Sequence, residues 1–391
     1  MQQNTPIGDA AVNFIAGAPT RSHAPEVLDA MGPVFVTAWA NASSQHGPGQ
    51  DAKRVLGAAR ATAAKALGCK TSELIFTSGA TEANHMALTG LLAAAKAQGR
   101  NRLLIGAVEH SALLRLARSL AEQGVPVDVM PVSPDGRIDL TAAEALMGPD
   151  LALVSLMAAN NETGALMPVA EIAAMAHEAG ALMHVDATQW IGKLPFAFAE
   201  YPADAVSLSA HKFHGPKGAG ALLLRQGRAF APPVPGSQER GRRGGTENLP
   251  AIVGLAAALE RLGDLAAQAE QVAGLRDALE RGLAELPGLH VWCQGVPRLP
   301  GTSYLRFGMV DADVVLQRLS RLNVAASSGA ACSSGGSEPS HVLTAMGVPR
   351  DEALCAIRFS LGGETRAEDI ALLLNSLPAL LEPLLSVAAE S

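Results

Sequence analysis

No two of the four cysteines, Cys69, Cys293, Cys332 and Cys355, stand at CxxC spacing. A zinc ribbon and a thioredoxin-like redox pair are therefore excluded. No GxGxxG follows a strand-like run, and Gly215, Gly218 and Gly220 have the wrong spacing for a dinucleotide-binding turn. There is no GK[ST] phosphate loop. His177-Glu178 is followed by no second histidine one turn on, which removes a zinc-protease helix. The first thirty residues lack the basic start and apolar core of a secretory leader. The longest apolar stretches are broken by charges or prolines, so no membrane span is expected. These absences lead to the expectation of a cytoplasmic protein whose cysteines remain thiols.

The net charge of −7 argues against a nucleic-acid surface, and the basic cluster Arg240, Arg242 and Arg243 is short and interrupted by Gly241. Hydrophobic residues at 48% against 17% charged describe a globular chain and exclude disorder. At 391 residues the chain is long for one core, which predicts two domains. No internal repeat is evident. The stretch Ser327 to Ser337 (SSGAACSSGGS) is of low complexity and carries Cys332.

From about residue 50 to 225 helix-like and strand-like segments alternate. Helical patterns cover 51–67, 81–95, 111–123 and 169–178, and strand-like runs cover 73–77, 103–108, 151–157, 181–185 and 205–208. Such alternation predicts an α/β fold with a mostly parallel sheet covered by helices. A long helical region from Pro250 towards Leu286 bridges to a smaller α+β domain. Strands are expected there at 290–293, 303–307 and 356–361, and helices at 311–322, 339–346 and 366–377. The expected division is a large domain over 17–255 and a small one over 256–391, joined by residues 1–16.

Ligands of open parallel sheets collect outside the carboxyl ends of the strands. After 73–77 comes Ser78-Gly79-Ala80-Thr81, small residues opening a helix. They suit an anion at the helix N-terminus, although an ordinary N-cap reads the same way. After 103–108 comes Glu109-His110, where a histidine can stack on a flat ring and move protons. After 151–157 comes Asn160-Asn161-Glu162-Thr163-Gly164, a turn former in which Asn161 can bind a carboxylate or a ring oxygen.

Asp186 follows 181–185, with Gln189 three residues on. A buried carboxyl there needs a cationic partner. Ser209, His211 and Lys212 follow 205–208. The rival Lys217 lies in the Gly215-Pro216-Lys217-Gly218 turn, where solvation is expected. A lysine and an acid at the ends of two successive strands are what a pyridoxal phosphate site needs. The lysine forms the Schiff base, and the acid holds the pyridine nitrogen protonated.

The residues then become specific. FTSGATEANHMAL, VEHSALL, NNETGALMPV, HVDATQWIGKLP, SLSAHKFHGPKGAGAL, QERGRRGGTENLPAIVG, SSGAACSSGGSEPSHVL and IRFSLG span residues 76 to 361. Together they resemble the cysteine desulfurases, in the class V aminotransferase group of fold-type I pyridoxal phosphate enzymes, and within it the NifS/IscS branch. Some positions depart from the family pattern. Phe14 to Thr20 replaces the opening LDNNATT-like strand, Ala40 to Ser44 replaces GNPSS, and Ser237 replaces the histidine before QERG.

The resemblance implies the following roles. Lys212 would hold the cofactor, Asp186 would meet the pyridine nitrogen and Gln189 the ring hydroxyl. Ala80, Thr81, Ser209 and His211 would hold the phosphate, joined by Thr246 of a neighbouring subunit in a homodimer. His110 would stack on the ring and transfer protons. Asn161 and Arg358 would bind the carboxylate of L-cysteine. Cys332 would be the nucleophile that takes the sulfur as a persulfide and passes it to an acceptor, an iron–sulfur scaffold protein. Its small polar neighbours cannot bury it, unlike Cys69, Cys293 and Cys355, which are expected to be inert.

No resident metal is expected; Cys332 alone would touch a cluster transiently. The expected reaction is conversion of L-cysteine to L-alanine. A selenocysteine lyase is the alternative enzyme, separable by its lower dependence on Cys332. A non-catalytic binding subunit is the alternative of another class, and intact Lys212, Asp186 and Cys332 speak against it.

Overall fold

The computed structural model describes residues 22–329 and 338–390, with side chains to 385. It separates into two units. The larger comprises Thr20–Asn161 and Ala165–Ala267, and the smaller comprises Glu162–Gly164 and Gln268–Ser391.

The larger unit begins with α1 (Pro25–Thr37) and α2 (Gly47–Ala66), then β1 (Leu74–Thr77), α3 (Ala80–Lys96), β2 (Arg102–Gly106), α4 (Ser111–Glu122) and β3 (Val127–Met130). It continues through α5 (Leu140–Ala145), β4 (Leu151–Met157), α6 (Val169–Glu178), β5 (Leu182–Asp186), β6 (Ala205–Ser209), β7 (Gly220–Leu224) and α7 (Leu249–Glu260). Among the described residues, seven strands form one sheet in the order β1-β7-β6-β5-β4-β2-β3. The pairs from β3 through β6 are parallel, as expected, while β7 runs antiparallel between β6 and β1. Every residue of β4 is buried, which is why LALVSLM reads as an unbroken apolar run.

The register puts the functional strand ends on one edge. Met157 stands beside Asp186, and Asp186 beside Ser207. Gly220 pairs with Ser209 on one side and with Thr77 on the other. Being antiparallel to both neighbours, β7 makes β1 parallel to β6, so the carboxyl ends of β1, β4, β5 and β6 face the same way. Gly220 is needed for this closeness, because a Cβ there would lie 2.5 Å from Gly79 Cα and 2.6 Å from Leu208 O.

α3 covers the sheet with an apolar stripe that includes Ala83, Met86, Ala87 and Leu91, all essentially inaccessible. Asn84 is a polar residue on that stripe, 4% exposed.

The smaller unit holds most of α8 (Leu265–Leu283), then β8 (Leu289–Val291), β9 (Thr302–Phe307), α9 (Ala312–Arg321), β10 (Ser327–Ser328), α10 (His341–Ala345), α11 (Arg350–Leu354), β11 (Ile357–Ser360) and α12 (Ala367–Glu390). Its four described strands pair antiparallel in the order β10-β11-β9-β8.

Two elements differ from the sequence reading for clear reasons. The single helical bridge is two helices, because Asp264 caps a new start by accepting from the amides of Ala266 and Ala267. The last helix does not stop before Pro378 but runs on through Pro383. Ile370, Leu373, Leu377 and Leu381 form a stripe that is 0–4% exposed in the core of this unit. Each such burial contributes about 2 kcal/mol, enough together to offset about 3 kcal/mol for each interior proline. No helix among the described residues is long and apolar enough to cross a membrane.

Candidate active site

A cavity of about 480 Å³ opens at the shared strand edge of the larger unit. One wall is the turn from β1 into α3. Gly79, the residue before the helix, has φ 155° and ψ −179°, a conformation essentially reserved for glycine. No side chain caps α3, which leaves the amides of its first turn uncapped beside the cavity that Ala80 and Thr81 line. Ser209 and His211 line it from the end of β6.

The floor is Asp186, 6% exposed at the last position of β5. Its Oδ2 accepts from Asn84 Nδ2 at 2.8 Å, and its Oδ1 accepts from the Thr188 amide at 3.0 Å. Beneath it, His184 is fully buried between Ser155 Oγ at 2.8 Å and Ser207 Oγ at 2.9 Å. Burial pushes its pKa down to about 4, against the opposing pull of Asp186, so the ring is neutral near pH 7. Glu109 is also fully buried, and its Oε1 accepts from the Met157 amide at 2.8 Å. Burial, and then the nearness of Asp186, raise its carboxyl well above the ordinary range.

Lys212 is partly exposed and lines the cavity directly after β6. Lys217 lines it too, but is exposed. His211 is pushed down to about 4 by burial, and further by Lys212 and Lys217, which makes it a neutral hydrogen-bonding group at pH 7. His110 caps α4, its Nδ1 accepting from the Ala112 amide at 3.3 Å. That bond needs an unprotonated Nδ1, so the neutral ring carries its proton on Nε2. Gln189 is 7% exposed, and its Oε1 accepts from Lys193 Nζ, leaving the amide nitrogen as a donor. Asn161 completes the lining.

Nine of the residues read from sequence thus share one cavity: Ala80, Thr81, His110, Asn161, Asp186, Gln189, Ser209, His211 and Lys212. Thr246 does not line it. It is exposed and lines a neighbouring cavity of about 190 Å³, to which Ser78 and Gly218 also belong. Arg358 stands in the smaller unit on β11, 8% exposed and directly opposite Tyr304 of β9. Cys332 lies outside the described residues, as does the Phe14 to Thr20 segment.

The sequence reading missed Asn84, Thr188 and Glu82, all of which line the cavity. Asn84 had one detectable signal, a polar side chain on an apolar helical stripe. Thr188 and Glu82 had none beyond adjacency to Asp186 and Thr81. Asn84 Oδ1 and Thr188 Oγ1 are buried with no hydrogen-bond partner among the described residues. Buried polar atoms of this kind are rare and point to an absent ligand. An amide-rich turn for an anion, a buried acid and a lysine, all lining one cavity, fit a planar cationic ring bearing a phosphate and an aldehyde.

The aminotransferase class-V family model matches residues 12–373. The chain belongs to that family. A cysteine desulfurase of Cereibacter sphaeroides is 47% identical over 365 residues, covering 92% of this chain and 93% of its own. The cysteine desulfurase NifS of Azotobacter vinelandii is 41% identical over 370 residues, covering 93% and 91%. A solved NifS-like protein superposes with TM-score 0.87 at 34% identity, covering 94% of this chain and 98% of its own. This class-V chain therefore has the α/β fold of NifS-like proteins.

Proposed function

We propose that this class-V chain is a pyridoxal phosphate-dependent cysteine desulfurase, releasing L-alanine from L-cysteine and keeping the sulfur on Cys332. The observation that carries the reading is the register of β1, β4, β5 and β6, which gathers Asp186, Lys212 and the amide turn at Gly79 around one cavity.

Ala80, Thr81, Ser209 and His211 would hold the phosphate, and Asp186 would meet the pyridine nitrogen. Gln189 would bond the ring hydroxyl, and Lys212 would be the covalent attachment point. Pyridoxal phosphate, when bound, supplies an electron-accepting ring that makes the substrate Cα–H bond acidic. The Lys212 amine would take the Cα proton. His110 lines the same cavity and would move the proton of the substrate thiol through Nε2. The resemblance assigns the substrate carboxylate to Asn161 and to Arg358, a role that suits a planar guanidinium. The Cys332 thiolate would attack the substrate sulfur; the Cβ–S bond breaks, its electron pair leaves with the carbon, which is protonated on the way to alanine, and the sulfur stays on Cys332 as a persulfide. The sulfur then passes to an acceptor, for which an iron–sulfur scaffold protein is our reading. A reducing cytoplasm, where Cys332 stays a thiol, is the compartment this chemistry requires.

The exposed Thr246 is assigned to the phosphate of a neighbouring subunit in a homodimer. Phe35, Val36 and Trp39, 64–75% exposed at the end of α1, support a covered face in the larger unit. Purified protein that is yellow and releases alanine from L-cysteine bears the function out. Colourless protein that takes up no pyridoxal phosphate, or yellow protein that releases no alanine, refutes it.

A further inference from the structure

Glu82 sits in the first turn of α3 and lines the cavity. Its Oε2 accepts from the Ser78 amide at 2.6 Å. A carboxylate here uses what a phosphate would use. It takes one amide of the anion turn, and it places negative charge at the positive end of the helix.

Arg243 meets this carboxylate with both arms of its guanidinium, Nε to Oε1 at 2.8 Å and Nη2 to Oε2 at 3.4 Å. The two side chains are only 20–24% exposed. Burial would raise the Glu82 carboxyl, but hydrogen bonds from Arg243 and then Ser78 outweigh it and hold the group below its ordinary range. The pair is therefore ionic at neutral pH.

Arg243 is held in place by its own loop. Glu239, 5% exposed, accepts from Arg60 Nη2 at 2.6 Å and from the Phe76 amide of β1 at 3.1 Å. Around this anchor Glu239, Arg240 and Gly241 adopt φ 48°, 59° and 79° in succession. Such left-handed backbone in two non-glycine residues persists only where the surroundings enforce it. The loop then delivers Arg243 to Glu82, three residues before Thr246.

We propose that Arg243 is a positioning residue for the cofactor phosphate: it neutralises Glu82 beside the phosphate turn and fixes the Thr246 loop to that turn. The proposal rests on the cofactor reading above. Without Arg243, the Glu82 carboxylate faces the phosphate unpaired and repels it.

The test uses the full-length chain stripped of cofactor, titrated with pyridoxal phosphate and separately with pyridoxal, which lacks the phosphate. Arg243→Gln weakens pyridoxal phosphate binding by about tenfold and leaves pyridoxal binding unchanged. The double variant Glu82→Gln/Arg243→Gln recovers wild-type affinity to within about twofold, because no charge is then left unpaired. Unchanged pyridoxal phosphate affinity in Arg243→Gln overturns the proposal. So does equal loss for both ligands, which marks a merely structural role, and so does a double variant no better than the single one. Wild-type protein that takes up no pyridoxal phosphate sinks the cofactor reading together with this one. Uptake by the wild type and by Arg243→Gln alike sinks this one alone.

Discussion

Asn84 Nδ2 donates to Asp186 Oδ2 across 2.8 Å, tying the second turn of α3 to the acid at the end of β5. The bond presents Asp186 in one orientation, and the other amide atom, Oδ1, stays buried without a partner among the described residues. Asn84→Ala removes one of two hydrogen bonds on Asp186. Loss of such a bond costs about 1 kcal/mol, so pyridoxal phosphate affinity is expected to fall about fivefold. Asn84→Asp sets carboxyl against carboxyl and is expected to bind more weakly still. Spectroscopic titration of the stripped variants checks this, and wild-type affinity in both would refute it.

Lys212 follows β6 directly and is partly shielded, whereas Lys217 lines the same cavity from an exposed turn. Borohydride reduction of the holoenzyme followed by peptide mapping is expected to place the pyridoxyl label on Lys212. Lys212→Ala should abolish the label, and Lys217→Ala should keep it. A label on Lys217 would reverse the assignment.

Three of the cysteines are poor nucleophiles for physical reasons. Burial, with Glu73 adding to it, pushes the Cys69 thiol up to about 12. Burial likewise raises Cys355, whose Sγ donates to Asp351 O at 3.3 Å. Cys293 is 8% exposed. A thiol without access or thiolate character does not attack. Serine at each of these positions is expected to leave desulfurase activity within about twofold of wild type, as for substitutions outside the reacting groups. Cys332→Ser is expected to keep the cofactor spectrum and form no persulfide on L-cysteine. Alanine release by that variant at the wild-type rate would remove Cys332 from the mechanism.

Much of the larger unit was legible because its strands are buried on both faces and end in chemistry. β4, β5 and β6 read as apolar runs, and the polar groups after them stood out. β7 was not legible, because Gly-Ala-Leu-Leu-Leu is too short to tell strand from helix, and its second antiparallel partner, β1, is far away in sequence. β3 escaped because Val127 and Val129 are not fully buried at the sheet edge. Asn84 escaped for another reason. Its role depends on which residue lies under one face of α3, and only the packing of helix on sheet decides that. Arg243 was visible in a basic cluster, but its pairing with Glu82 spans loops whose path no local pattern dictates.

Thr246 lines a smaller cavity beside the one that holds Asp186 and Lys212, and it is exposed in the single chain. If it completes a neighbour's phosphate site, cofactor retention depends on assembly. A two-fold dimer is the simplest closed arrangement that completes both sites at once. Sedimentation at working concentration is expected to give a dimer, and Thr246→Ala to lose cofactor faster on dilution than wild type. A fully active, cofactor-retaining monomer would exclude the arrangement.

His184 makes the fold itself sensitive to pH. It is fully buried between Ser155 and Ser207, and its pKa falls from 6.5 to about 4. The folded state therefore resists a proton that the unfolded chain accepts readily. Stability from this residue is complete above pH 6.5, declines as the pH falls, and is lost once the pH passes through about 4. A shift of this size corresponds to about 3 kcal/mol. His184→Gln has no charge to acquire and offers a donor and an acceptor to the two hydroxyls. Its stability at pH 7 is expected to be below that of wild type, because the fit to both serines is imperfect. Between pH 6.5 and 4.5, however, the wild type should lose stability relative to the variant, narrowing or reversing the gap. Denaturant unfolding of both proteins at several pH values measures the difference directly. A gap that stays constant across that window would show that His184 does not titrate between the folded and unfolded states, and would overturn the assignment of a neutral buried ring.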